Sequence, residues 1–245
     1  STNSNTGDPK PLREFLGWAR KECRAARYFL VLWGHAYGLG FGREHGDQLT
    51  LKELTTALAP FKASGKLDLL GANACAMSYA EAAYELRNSA KYMVASEISV
   101  PYAGWPYELI LRDLVRNPRL EPAALGKKII QHYVASLGGQ NAALTLLDLE
   151  KAGDLRSRVI ALARAVTGSL RRESTRDQTS NAFLDTAHGD VRPLIDLRDL
   201  CEHLHKLPDK AVAYCIAGLE RMERVLARAP RVAILGEVNS GKTSV

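Results

Sequence analysis

The stretch LLGANACAMSYAEAAYEL, residues 69–86, decides how the rest of the chain is read. A short apolar segment passes through small residues to a single cysteine, Cys75, and then runs into a helical pattern with Tyr79, Ala83 and Leu86 on one side. Strand, turn and helix in that order are one unit of an alternating α/β chain. Working outward, YFLVLW (28–33) is a continuous run of aromatic and branched residues, the signature of a strand buried on both faces. KYMVAS (91–96) and AALTLLDL (142–149) read as further strands. Helices are expected over 8–26, 49–61, 77–89, 104–118 and 122–138, then around 150–171 and 194–206. GHAYGLGFGREHGDQ (34–48), with five glycines in fifteen residues, is expected to be a long irregular loop. Strands alternating with helices predict an α/β fold whose mainly parallel sheet is covered on both faces.

In such sheets ligands bind at the carboxyl ends of the strands, so the residues found there matter most. Strand 28–33 runs into His35, strand 67–71 stops just before Cys75, and strand 91–95 ends at Ser96 and Glu97. A thiol is a nucleophile only as thiolate, and a nearby imidazole deprotonates it or stabilises the ion pair. Cys75 also directly precedes the expected helix, whose N-terminus would favour the thiolate and offer N–H groups to an oxyanion.

Composition sets the bounds. The 245 residues, 46% hydrophobic and 24% charged, are ordinary for a soluble globular protein with a sizeable core. Cys23, Cys75, Cys201 and Cys215 are too scattered for a disulfide framework and form no CxxC pair. The net charge of +6 is spread among acids, as in RDLVRNPRLEP (112–122) and GLERMERVLAR (218–228), which reads as solvated helix faces rather than a nucleic-acid stripe. No apolar run is long enough to span a membrane, and STNSNTGDPKP (1–11) has no signal-peptide core. The expected location is the cytoplasm.

Three segments together resemble a known family. VLWGHAYG (31–38), LDLLGANACAMSYAEAAYEL (67–86) and YMVASEISVPYAGWPYELIL (92–111) are similar, in order and spacing, to the clostripain-like cysteine peptidases of the caspase and gingipain clan. NTGDPKPLREFLGWA (5–19), TLLDLEKAGDL (145–155) and PLIDLRDLCEHL (193–204) extend the resemblance over roughly residues 5–205. It implies a caspase-like three-layer sandwich over residues 1–229, with His35 and Cys75 as the catalytic dyad and the backbone N–H groups of Ala36 and Cys75 as oxyanion donors. It implies a peptide or protein substrate and no cofactor for the dyad, with calcium as a possible family ligand. The family's domain also starts earlier, so the expected fold lacks its N-terminal strand or strands, which a missing segment or a partner chain would supply.

Departures from the pattern bear on specificity. Family members that cut after Arg or Lys carry an acid two positions before the nucleophile, where this chain has Asn73, and often Asp before Gly-Trp, where it has Ala103. Asn73, Ser96, Glu97, Ala103 and Trp105 are the expected substrate-binding residues, with Glu97 the only nearby carboxylate. Ala36 stands where the family has glycine. His45 is a rival general base; His132, His203 and His205 read as helix-face residues and a poor metal set.

RVAILGEVNSGKTSV (231–245) contains GEVNSGKT, which fits G-x-x-x-x-G-K-[ST] after an apolar strand. Gly236, Gly241, Lys242 and Thr243 would hold GTP and Mg2+ if a GTPase domain followed. Residues 230–245 are accordingly either the start of a dynamin-like P-loop domain or a last strand of the front domain. The alternative to a peptidase is a catalytically inactive caspase-like regulatory module coupled to that nucleotide-binding domain.

Overall fold

The structure, a computed structural model, describes residues 5–37, 40–44, 46–63, 65–138, 143–186 and 197–226. His45, the residues around 230 and the P-loop motif at 236–243 lie outside the described residues. In chain order the front half comprises α1 (Pro9–Glu22), β1 (Phe29–Trp33), β2 (Gly40–Glu44), β3 (Asp47–Thr50), α2 (Leu51–Ala57), α3 (Ala59–Ala63), β4 (Leu67–Asn73), α4 (Ala80–Leu86) and β5 (Ala90–Ala95). There follow α5 (Tyr107–Arg116), α6 (Pro122–Ser136), β6 (Thr145–Asp148), a 3-10 turn (Leu149–Lys151), α7 (Ala152–Arg171), α8 (Glu173–Asp185), α9 (Leu197–Leu204) and α10 (Lys210–Leu226).

Local chemistry fixes several of these ends. The Asp8 side chain accepts the Lys10 N–H and Pro9 opens α1, which removes two otherwise orphaned donors. Thr50 and Glu53 form a reciprocal capping box at the start of α2.

The expected α/β architecture is present. The sheet order is β1-β4-β5-β6, with β1, β4 and β5 parallel and β6 antiparallel to β5. β4 lies in the middle and is buried at every position from Leu67 to Asn73. Period-two alternation sends its side chains to opposite faces. Leu70, Ala72 and Ala74 join Leu16, Leu54, Leu86 and Met93 in a core under α1, α2 and α4, while Leu69 joins Val94, Ile110, Ile129 and Tyr133 under α5 and α6. A third core, among α7 to α10, unites Leu162, Val166, Leu200, Leu204, Val212 and Ile216. At the N-terminal ends of the strands Asp68 accepts the Tyr28 N–H at 3.0 Å and the Lys91 ammonium at 2.8 Å, which pins three strands in register.

Two expectations are corrected. The glycine-rich segment 34–48 is not irregular: β2 and β3 form an antiparallel hairpin with a shifted register between Phe41 and Glu44. Gly42 and Gly46 have φ of +71° and +86°, so the glycines build the hairpin's bends. Buried Leu49 and half-buried Phe41 hold it to the body of the protein. The helix after Cys75 also begins later than expected, at Ala80. The donors that would have opened it are committed elsewhere: Ala76 N–H bonds Ile98 O, and Met77 and Ser78 N–H both bond Ser96 O. Helix α8 adds to those expected in the C-terminal part, and α10 starts before the helical stretch read at 218–228.

In the helical third, Arg172 pairs with Asp209, which caps α10 through the N–H groups of Ala211 and Val212. Burial pushes the Asp209 carboxyl up; the Val212 and Ala211 N–H groups, the Ser169 hydroxyl and Arg172 outweigh it and hold it below the usual carboxylate range. A depressed carboxyl stabilises the fold above its unfolded titration, near about pH 4, and that contribution fades as pH falls through the lower folded value. Melting temperature measured against pH should therefore fall less steeply on the acid side in Asp209→Asn, which should already be destabilised at neutral pH. A second expectation concerns Gly71, where a Cβ would lie 2.8 Å from Trp105 Cζ3. Gly71→Ala should cost about 1–3 kcal/mol in urea unfolding because the indole cannot retreat from a close-packed layer.

Candidate active site

The site grows from the sheet register. β1 and β4 pair Leu32 with Ala72 and Trp33 with Asn73, and Gly34 N–H donates to Asn73 O at 3.4 Å. His35 and Cys75 each stand two residues beyond these paired ends, so the turns that carry them leave the sheet at the same carboxyl rim. His35 is exposed and Cys75 half-buried. Imidazole and thiol thus share the carboxyl rim of the sheet.

Each is held by its own turn. His35 O accepts Gly42 N–H at 2.8 Å and Tyr37 N–H donates to Gly40 O at 3.2 Å, closing a bridge between Ala36 and Phe41. Among the described residues the Ala36 N–H makes no backbone bond. Cys75 sits on a tight turn whose next residue, Ala76, has φ of +49°, the only positive φ at a non-glycine among the described residues. Three successive N–H groups, of Ala76, Met77 and Ser78, bond the segment after β5, while that of Cys75 does not join them.

The segment 96–104 arches over this turn. Ser96 is fully buried; its hydroxyl donates to Ile98 O at 2.8 Å and accepts Ile98 N–H at 3.2 Å. The Tyr79 hydroxyl donates to Glu97 O at 3.2 Å, and Val100 N–H donates to the Cys75 sulfur at 3.2 Å. α6 brings Tyr133, 1% exposed and in the core against which Val100 packs, whose phenol is pushed up by burial and further by the charge of Cys75.

Beside the thiol lies an aromatic wall. Asn73 is 2% exposed, and its Nδ2 donates to the Tyr107 hydroxyl at 2.8 Å, leaving Oδ1 buried with no partner. Burial raises the Tyr107 phenol, partly offset by the bond from Asn73, so it remains neutral and keeps its own proton for a further acceptor. Trp33, 64% exposed, stacks on Tyr107 with centroids 5.5 Å apart. Gly104, at φ +63°, presses its backbone so close that a Cβ would lie 2.6 Å from Asn73 Nδ2. Trp33 faces solvent in front of this wall, and Asn73 Oδ1 lies buried behind it without a partner.

Comparison with known proteins places this geometry. The sequence profile of the clostripain family matches residues 1–230. The chain belongs to the clostripain family. No curated protein matches it. Among solved structures, a secreted C11 cysteine protease from Bacteroides thetaiotaomicron in complex with an irreversible peptide inhibitor superposes with a TM-score of 0.61 at 19% identity, over 89% of this chain and 62% of that one. An inactive zymogen C11 protease from Parabacteroides distasonis gives a TM-score of 0.62 at 19% identity, over 89% of this chain and 60% of that one. The chain therefore spans about three fifths of the length of these structures.

Within this clostripain-family fold the structure brings His35, Ala36, Asn73 and Cys75 to one rim. It does not present every expected contact. Ser96 is turned inward and consumed by its own turn, so it supports the loop instead of touching a substrate. Trp105, 2% exposed, packs its ring on Gly71 as the backing of the wall, with Nε1 buried and unbonded. Ala103 and Glu97 are exposed on the arch. Cys75 stands five residues before α4, so a helix N-terminus does not act on it. Trp33 and Tyr107 were missed by sequence reasoning. Their signal was present in LWGH and GWPY, but only the fold sets the two rings together. His132 bonds Asp113 between α6 and α5, and His205 bonds Glu220 between helices. Among the described residues no three His, Cys, Asp or Glu side chains cluster to hold a metal.

Tyr107→Phe would strip Asn73 Nδ2 of its partner inside the wall. The expected cost is about 1–3 kcal/mol in urea unfolding, whereas an exposed hydroxyl of this kind would cost almost nothing.

Proposed function

We propose that the protein is a cysteine endopeptidase whose nucleophile is Cys75 and whose general acid and base is His35. The observation that carries the reading is the β1–β4 register, which sets the imidazole-bearing and thiol-bearing turns side by side at the rim. Membership of the clostripain family supports the reaction class, and the Bacteroides thetaiotaomicron relative captured with an irreversible peptide inhibitor supports a peptide substrate.

In this reading the Cys75 sulfur, its proton already held by His35, attacks the peptide carbonyl as thiolate. The N–H groups of Ala36 and Cys75, neither used by the turns around it, receive the oxyanion. His35 then gives its proton to the leaving amine, and water hydrolyses the thioester. The side chain preceding the cut lies against the wall of Trp33, Tyr107 and Asn73. Because Asn73 supplies an amide where a carboxylate would pair a cation, burying an Arg or Lys there leaves its charge uncompensated. Substrates with a neutral hydrogen-bond donor at that position fit the unpartnered Asn73 Oδ1.

Digestion of a peptide library by wild type and variants tests the reading. Cys75→Ala should abolish cleavage and His35→Ala should lower kcat/KM by at least about a thousandfold. Asn73→Asp should raise cleavage after Arg or Lys about tenfold or more, through a charge-assisted pair. Cleavage that survives Cys75→Ala would end the proposal, and dominant wild-type cutting after Arg or Lys would end the account of Asn73.

A further inference from the structure

The arch over Cys75 does more than cover it. Its backbone delivers one donor to the sulfur itself, the Val100 N–H at 3.2 Å. That donor is fixed from several directions. The Val100 side chain packs into the core that contains Trp105 and Tyr133. Pro101 follows, which excludes helical backbone at Val100, and Gly104 N–H closes a turn onto Pro101 O at 2.9 Å. Upstream, the buried Ser96 hydroxyl holds Ile98 by both its N–H and its carbonyl, and Ile98 O and Ser96 O hold the three N–H groups after Cys75. The arch and the nucleophile turn therefore form one unit in which the N–H cannot drift from the sulfur without breaking other bonds.

A hydrogen bond to the charged form of a group favours that form, and an N–H bond to a thiolate is stronger than one to a neutral thiol. We propose that the Val100 backbone N–H is a positioning donor that holds the Cys75 sulfur as thiolate in the resting site, taking the place of the helix N-terminus that α4 does not supply. The inference rests on the reading of Cys75 as nucleophile. It assigns the arch a chemical role, with Ser96 and Pro101 as its supports. Of the titratable groups on the elements around the sulfur, Tyr133 from α6 interacts electrostatically with Cys75, Tyr79 on the nucleophile turn bonds the arch, Glu97 is exposed on the arch and His35 is exposed beyond β1. None of them is altered by a change at Val100.

Val100→Pro removes the N–H at a site already restricted to extended backbone, and Val100→Ala keeps the N–H while trimming the side chain. A backbone ester at position 100, with oxygen in place of the N–H and the valine side chain intact, covers the case in which the proline variant does not fold. The readout is the rate of iodoacetamide labelling of Cys75, resolved from exposed Cys23 by mass spectrometry, between about pH 5 and 9. In the proline or ester variant, labelling at neutral pH should fall about tenfold and its pH profile should move upward, while Val100→Ala keeps the wild-type profile. Unchanged profiles in the ester variant, or a wild-type Cys75 no more reactive at low pH than Cys23, would overturn the proposal. A shifted labelling profile in a protein that cuts no peptide would uphold the donor and remove the peptidase reading.

Discussion

β4 is the constraint on which everything else depends. It is buried at all seven positions and is paired on both edges, to β1 and to β5, in the same direction. A strand so placed has no freedom to slip, because a shift of one residue would exchange the faces of Leu69 and Leu70 and turn each core inside out. Its carboxyl end is therefore fixed relative to those of its neighbours. The turns that follow β1 and β4, carrying His35 and Cys75, and the Ser96 arch that follows β5 leave the sheet at one rim because three parallel strands end there. Asp68 secures the opposite end of the same three strands through Tyr28 and Lys91.

The rim is also where the structure leaves polar atoms unsatisfied. Among the described residues four buried side-chain polar atoms have no hydrogen-bond partner; Asn73 Oδ1, Ser78 Oγ and Trp105 Nε1 lie in the segments that shape the aromatic wall and the nucleophile turn, and Ser89 Oγ lies at the opposite end of the sheet, before β5. Such atoms are costly in a finished core and are found where a ligand completes the bonding. Ala76, with its left-handed backbone, belongs to the same set. The turn is held in that conformation by bonds from Ala76, Met77 and Ser78 to the arch, so strain at the nucleophile is balanced by hydrogen bonds across the site.

The helical third stands on its own core and meets the sheet through α7, whose first residue, Ala152, lies in the core beneath α4. Its polar contacts are inward and specific. Ser169 and Thr179 share a buried hydrogen bond, Thr175 donates to Ser169 O, and Asp209 joins Arg172 to the start of α10. None of these groups reaches the rim. Their role is to hold α7, α8 and α10 together, and so to keep the sheet's α7 face covered.

How much of this was legible beforehand can be seen residue by residue. LDLLGAN announced a central strand because a strand buried on both faces shows no alternation, whereas YFLVLW, read the same way, forms the edge strand β1, half-buried from Phe29 to Val31 and exposed at Trp33. The cysteine and histidine beyond their ends could be proposed as partners from placement alone. The hairpin was hidden because glycines that build bends look, by composition, like glycines of a loose loop. The late start of α4 was hidden because helical periodicity cannot register that the donors of Ala76, Met77 and Ser78 are claimed by residues twenty positions away. Trp33 and Tyr107 stood in quoted segments, LWGH and GWPY, but 74 positions apart, so nothing in the sequence joined the two rings. The sequence by itself determined the order of strands and helices, the identity of the nucleophile and base candidates, and the substitution of Asn73 for an acid. Only the tertiary structure decided that Ser96 faces inward, that Val100 donates to sulfur, and that Asn73 bonds Tyr107, because each of these is a contact between segments that come together only when the sheet sets their register.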